Sequence, residues 1–386
     1  MTRPTFHANL IVLSLVLVVS GVACAGPLVT SAPSGASDTA APSSLFPDAS
    51  ARLLPSSSPL DAATALPTFP STPAPSLFPP SGGDPTNAHF PGGLLIADRL
   101  NGRLLVVDDA GAILWRFPLV ESLPAGQTFS ADDAFVTADG SSIVANEESN
   151  QVIVKIDIAT EKVVWQYGSY GVHGAASNQL STPDDAYPLA NGDITVADIK
   201  NCRILQIAPS SQIVRQWGTA GVCTDNPPTS FGRPNGDTPL PDGGMLITEI
   251  DGSRVVRLSS SGQVVFDISV PVKYPSDAHL MANGDVLVVD YANPGAVVVI
   301  DPQTGATVYR YGPSSGDGQL NHPSLAVPLP DGTFAVNDDY NHRVVVIDPQ
   351  TNSIVWSYGH LGMASAADGF LNLPDGIDPV PVGIFQ

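Results

Sequence analysis

From residue 94 onward the chain alternates between apolar runs of about five residues and short polar turns. Leu94–Ala97, Leu104–Val107, Ile143–Ala145, Ile194–Ala197 and Ala296–Ile300 are typical runs. No segment keeps a helical period. Asn-Gly and Asp-Gly pairs punctuate the pattern at Asp139-Gly140, Asn191-Gly192, Asp242-Gly243, Asn283-Gly284 and Asp331-Gly332. These pairs accept the positive φ that a two-residue hairpin turn needs, so each predicts a hairpin. A short segment opening on proline precedes most of them, as at Pro183, Pro234, Pro275 and Pro323. A strand such as Ile194–Asp198 follows, then a turn, then a strand such as Arg203–Ile207. The unit closes on an aromatic-rich strand ending near Phe117, Tyr167, Trp217, Ile268, Tyr311 or Tyr358, in steps of 50, 50, 51, 43 and 47 residues. Four strands at this period predict one blade of a β-propeller.

The two ends of the repeat region complete each other. The first unit opens at Pro91-Gly92-Gly93, already the hairpin turn, and so lacks an inner strand. The tail from Leu373 to Gly383 has the form of an inner strand with nothing after it. The expectation is an all-β, six-bladed propeller over residues 89–386, closed by the C-terminal strand pairing into the first blade.

The first 88 residues follow another pattern. Arg3, the aliphatic run Leu10–Val19 and the small residues up to Cys24 read as a signal peptide over residues 1–24. Gly21-Val22-Ala23-Cys24 resembles a bacterial lipobox, with Cys24 as the lipidation residue, while Ala23-Cys24-Ala25 also reads as an ordinary cleavage site. Residues 25–88 are rich in Pro, Ser and Ala and are expected to be a disordered stalk. Both readings put the protein outside the cytoplasm, either as a cell-surface or periplasmic lipoprotein or as a secreted protein.

Charge narrows the partners. Only 14% of the residues are charged, and the net charge is −21. Phosphate backbones would repel such a chain, so nucleic acid is excluded, and a membrane is reached only through the N-terminal lipid anchor. A monomer is expected. Three cysteines make neither a disulfide-rich scaffold nor a four-cysteine zinc site. Cys202 and Cys223 fall on the same face of the third blade and are expected to form a disulfide.

An acid or Asn closes the second strand of each unit at Asp98, Asn146, Asp198, Glu249, Asp290 and Asp338. Five residues later stands Arg103, Gln151, Arg203, Arg254, Gly295 or Arg343, often with Asn one or two residues before that position, as at Asn101, Asn150, Asn201 and Asn341. This pattern resembles the NHL repeat, and the resemblance implies a six-bladed propeller of that class. A partly shielded Asp–Arg pair would hold the turn. A second resemblance rests on Asp157-x-x-Thr160 before Trp165, Asp301-x-x-Thr304 before Tyr309 and Asp348-x-x-Thr351 before Trp356. These look like the tryptophan-docking motif of quinoprotein-type propellers, enzymes of eight blades that bind pyrroloquinoline quinone with calcium.

In a propeller the inner-strand starts, the turns between strands two and three, and the blade-to-blade loops share one face. Those loops are long here, at roughly 119–130, 169–180, 219–230, 313–320 and 360–369, and long loops on a rigid frame are where binding concentrates. The inner strands bring Asp133, Asp185, Asp277 and Asp378 toward the axis, with Phe135, Tyr187 and His279 at alternate positions. These seven are the candidate ligand-binding residues of the channel mouth. Asp133, Asp185, Asp277 and His279 are candidate ligands for calcium or another divalent cation, because a hard cation relieves crowded carboxylates. No cofactor is firmly implied and no catalytic residue can be named. The preferred expectation is a binding or scaffolding module that holds a protein, glycan or small molecule. The alternative is a divalent-metal-dependent lyase or hydrolase acting at the channel mouth, and the remotest is a quinone-dependent dehydrogenase.

Overall fold

A computed structural model describes residues 88–118 and 122–385. The expected signal segment with Cys24, and the stalk as far as residue 87, lie outside the described residues.

Six antiparallel sheets follow one another along the chain. Blade I joins Pro374–Pro379 to Leu94–Asp98, Arg103–Val107 and Ile113–Phe117. Blade II runs Ala134–Val136, Ser142–Glu147, Val152–Asp157 and Lys162–Tyr167. Blade III runs Pro183–Asp184, Ile194–Asp198, Arg203–Ile207 and Ile213–Trp217. Blade IV holds Met245–Glu249, Arg254–Leu258 and Val264–Ser269. Blade V runs Pro275–Leu280, Val286–Asp290, Ala296–Ile300 and Thr307–Tyr311. Blade VI runs Ala326–Pro328, Phe334–Asp338, Arg343–Asp348 and Ser353–Gly359. Among the described residues the only helices are three-residue 3-10 turns at Arg99–Asn101, Ile199–Asn201 and Asp339–Asn341.

Burial explains the apolar runs. The middle strands of a blade are covered on both faces by neighbouring blades, so Ala296–Ile300 is buried at every position. Outer strands are covered on one face and alternate, as in Ile113–Phe117. An apolar cluster fills each junction; Leu95, Val106 and Phe117 of blade I, for example, pack on Ile143 and Val154 of blade II. Outer aromatics bridge the same junctions. Trp165 Nε1 donates to Ser211 Oγ of the next blade (3.1 Å), and Trp356 Nε1 donates to the Asp109 carbonyl of blade I (2.8 Å).

The tail closes the ring as expected. Leu94 pairs with Pro379, Leu95 with Asp378, Ile96 with Ile377 and Ala97 with Gly376. The inner segment of blade IV is thinner than expected, held by bridges at Pro234 and Pro239. Backbone hydrogen bonds from Asn235 to Thr248, from Thr248 to Gly236 and from Leu246 to Thr238 hold the segment beside Met245–Glu249 all the same.

Candidate functional site

Two positions of the repeat converge where the axis opens on the loop-bearing face, one from all six blades and one from four. The first is the start of each inner strand: Asp375, Asp132, Asp184, Asn235, Ser276 and Ser324 in blades I to VI. All six line one cavity of about 190 Å³. The second is the residue after the strand-two acid, which contributes Arg99, Glu148, Ile199 and Tyr291 to the same wall. Blades I to III therefore supply charge. Blades IV to VI supply a neutral amide and hydroxyls, with Tyr274 and Tyr291 in edge-to-face contact at 5.2 Å.

The local sequence positions this wall. Asp98 accepts from Asn101 Nδ2 (2.8 Å), Arg103 Nε (2.6 Å) and the Asn372 N–H (2.7 Å). Asp198 and Asp338 repeat the arrangement with Asn201 and Arg203, and with Asn341 and Arg343. The Asn amide also donates to the preceding blade-to-blade loop: Asn101 to Ser365 O, Asn150 to Thr128 O, Asn201 to Gly174 O and Asn341 to Gln319 O. The repeat motif thus fastens the loops around the mouth. In alternate blades the residue before the acid clips the next inner strand, with Asn146 on Pro183 O, Thr248 on Ser276 O and Asn337 on Asp375 O.

Two columns of the motif differ from the sequence reading. In blade II the acid is Glu147, not Asn146: Glu147 pairs with Val152 across the turn and accepts from Asn150 Nδ2 and the Ser130 N–H. In blade IV Arg254 leaves Glu249 and meets Asp225 and Asp267 instead. The Glu249 carboxylate lies beside Gly232, and neither of its oxygens has a hydrogen-bond partner. Burial then pushes the Glu249 carboxyl up to about 7.

Arg99 is the only cation lining the cavity. It pairs with Asp132, Asp375 and Glu148. Burial opposes charge on Asp375, but Arg99 outweighs it and holds that carboxyl below its ordinary value. Asp132 goes the other way, raised by burial and by repulsion from Asp375. Burial pushes Asp184 up to about 6. Burial and neighbouring carboxylates raise Asp133 and Asp185 well above the usual range. Asn235 Nδ2 donates to Asp184 Oδ2 (2.6 Å) and is itself held by the Tyr274 hydroxyl on Oδ1 (2.8 Å).

Of the seven residues expected at the mouth, Asp133 and Asp185 line the cavity. Phe135 and Tyr187 lie two residues further along their strands and stack at 3.9 Å. Both are buried and join an apolar cluster with Leu325 and Leu329. Asp277 accepts from Thr238 Oγ1 (2.9 Å), and His279 Nε2 lies 3.0 Å from Asp277 Oδ2, out of line for a hydrogen bond. Asp378 accepts the Val136 N–H (2.8 Å), and burial raises its carboxyl to about 7. Cys202 and Cys223 are disulfide-bonded, with Cα atoms 5.2 Å apart.

Sequence reasoning missed Arg99, Asp132, Glu148, Asp184 and Asp375. The signal was present in two forms. Asp132-Asp133 and Asp184-Asp185 are consecutive acids read as a single position, and Arg99 directly follows a motif acid.

The sequence model of a family described as outer membrane protein assembly factor BamB matches residues 208–369, less than half of the chain. No curated protein sequence matches. Among solved structures, a protein of unknown function from Bacteroides caccae aligns with a TM-score of 0.52 at 17% identity, covering 74% of this chain and 98% of its own. The nidogen/laminin complex aligns equally well, with a TM-score of 0.52 at 13% identity over 74% of this chain and 97% of that one. A streptogramin B lyase reaches a TM-score of only 0.44 at 15% identity, over 60% of this chain and 69% of its own. The chain is a six-bladed β-propeller whose residues 208–369 match that family's repeat model.

Proposed function

We propose that this protein is an extracytoplasmic binding or scaffolding propeller that takes a protein, glycan or small-molecule partner on its loop-bearing face, with the axial mouth as the point of recognition. One observation carries the reading. The same inner-strand position of all six blades lines a single cavity, and its chemistry differs from one half of the ring to the other. Such a wall distinguishes the two ends of a ligand, as polar groups placed in a pocket do. The apolar run at the N-terminus and the match to a family described by outer-membrane assembly support a place outside the cytoplasm. The test is a thermal-shift screen of glycans, peptides and small molecules on the full chain, followed by Arg99→Gln and Asn235→Ala. A ligand that stabilises wild type and both variants equally would show that the mouth is not the recognition site.

A second reading, a lyase or hydrolase using a divalent metal at the mouth, is favoured by the convergence of Asp132, Asp133 and Asp184. Turnover of a screened substrate that is lost on chelation and restored by metal would select it.

A further inference from the structure

We propose that the acidic half of the mouth is a site for one hard divalent cation, bound by Asp132, Asp133 and Asp184 with Asp185 completing the set. The proposal rests on the reading of the mouth as the ligand site and names the chemistry of that ligand. It also moves the expected cation from the set Asp133, Asp185, Asp277 and His279 to the strand starts.

Geometry comes first. Asp132, Asp133 and Asp184 each offer a carboxylate oxygen, and these oxygens lie within 4.8 Å of one another. Two oxygens on opposite sides of a Ca²⁺ ion, each at about 2.4 Å, are separated by about the same distance. The donors are all oxygen, with neither sulfur nor imidazole among them, which selects calcium, magnesium or manganese over zinc.

A second observation is independent of the cluster. Asp185 is 2% exposed and lines the cavity, and its Oδ2 has no hydrogen-bond partner. A buried acceptor left unpaired is costly, and a cation removes that cost. Two glycines give these carboxylates their places. A β-carbon on Gly236, the blade IV residue at the register of Asp185, would stand 3.0 Å from Asp185 Oδ2. A β-carbon on Gly376, at the same register in blade I, would stand 2.8 Å from Asp133 Oδ1. Arg99 supplies one positive charge, directed at Asp132, Asp375 and Glu148, and makes no ion pair with Asp133, Asp184 or Asp185.

The test titrates CaCl₂, and separately MnCl₂, into chelator-treated full-length protein by calorimetry. The variants are Asp133→Asn, Asp184→Asn, Gly236→Ala and, as a control on an exposed loop, Asp368→Asn. Wild type and the control are expected to show one saturable site per chain. Each aspartate variant should weaken it by about tenfold or more, since affinity follows the count of charged ligands. A thermal melt of each metal-free variant separates lost binding from lost fold, and Gly236→Ala tests the cradle without removing a charge. Saturable binding that falls in the three mouth variants and persists in Asp368→Asn supports the site. No heat with either ion, or equal heat in every variant, overturns it. Absent cation binding beside a partner still sensitive to Arg99→Gln would sink the cation alone. Cation binding beside a partner indifferent to Arg99→Gln would sink the mouth as the partner site.

Discussion

Deleting residues 371–385 should abolish the soluble monomer. The deletion removes the strand Pro374–Pro379 and exposes Leu94–Asp98, five residues that are all buried. It also removes Leu371, Ile377 and Val380, each at most 5% exposed. At about 1.5–3 kcal/mol per buried aliphatic side chain, these three alone contribute about 5–9 kcal/mol. That approaches the whole stability of an ordinary domain, about 5–15 kcal/mol. The lost ladder and the loss of Asp375 from Arg99 add to it. The bared strand is in addition a template for pairing with another chain. Size-exclusion chromatography with light scattering, followed by thermal unfolding, reads the result. A circular permutant that places residues 371–385 ahead of Ala88 is the control. Leu94 and Pro379 are directly paired, so a short linker can join the old ends, and the permutant should recover a cooperative monomer. A truncated chain that stays monomeric and melts cooperatively would refute the closure argument.

Three further outcomes follow from named contacts. Arg203→Ala leaves the fully buried Asp198 without its cation and should cost about 3–5 kcal/mol in urea unfolding, while the paired change Asp198→Asn with Arg203→Met should cost clearly less. The Glu249 carboxyl lies near 7 in the folded chain against an ordinary value of 4.5, so the native state holds the proton more tightly and wild-type stability falls as pH rises from about 4.5 to 7. Glu249→Gln should therefore match wild type at pH 4.5 and exceed it at pH 8 by at most about 3 kcal/mol, with equal melting shifts at both pH values counting against the assignment. Reducing the Cys202–Cys223 bond, which spans 21 residues, should lower stability by about 2–4 kcal/mol, and an unchanged melt in reductant would show that the link carries no stability.

The blades were legible because their signals are local. Asn-Gly turns, doubly covered valine runs such as Ala296–Ile300, and the unpaired tail at Leu373–Gly383 each act within one unit or announce a missing partner. The mouth was half legible. Asp133 and Asp185 were found because alternation points them at the axis, yet Asp132 and Asp184 line the same cavity, because strict alternation breaks at the strand start, where the inner strands of blades I and V also shift register. The left-handed backbone of Asp185, at φ 47°, marks that departure. Arg99 was invisible because its three partners stand 33, 49 and 276 residues away, and only ring closure brings the last of them close. Glu249 misled because the motif column names only one acid for Arg254, whereas Asp225 and Asp267, from the blade-to-blade loop and the outer strand, take it instead.

The stacked pair Phe135 and Tyr187 has a consequence for traffic through the ring. Phe135 and Tyr187 are only 6% and 8% exposed, so the inner strands pack closely beneath Asp133 and Asp185 and the open approach is from the loop-bearing face. Whatever lies against Asp133 and Asp185 must arrive before anything seated above it, and must depart after. Loading is therefore ordered by depth alone, so a bulky occupant at the rim would slow escape of a smaller one beneath without touching it.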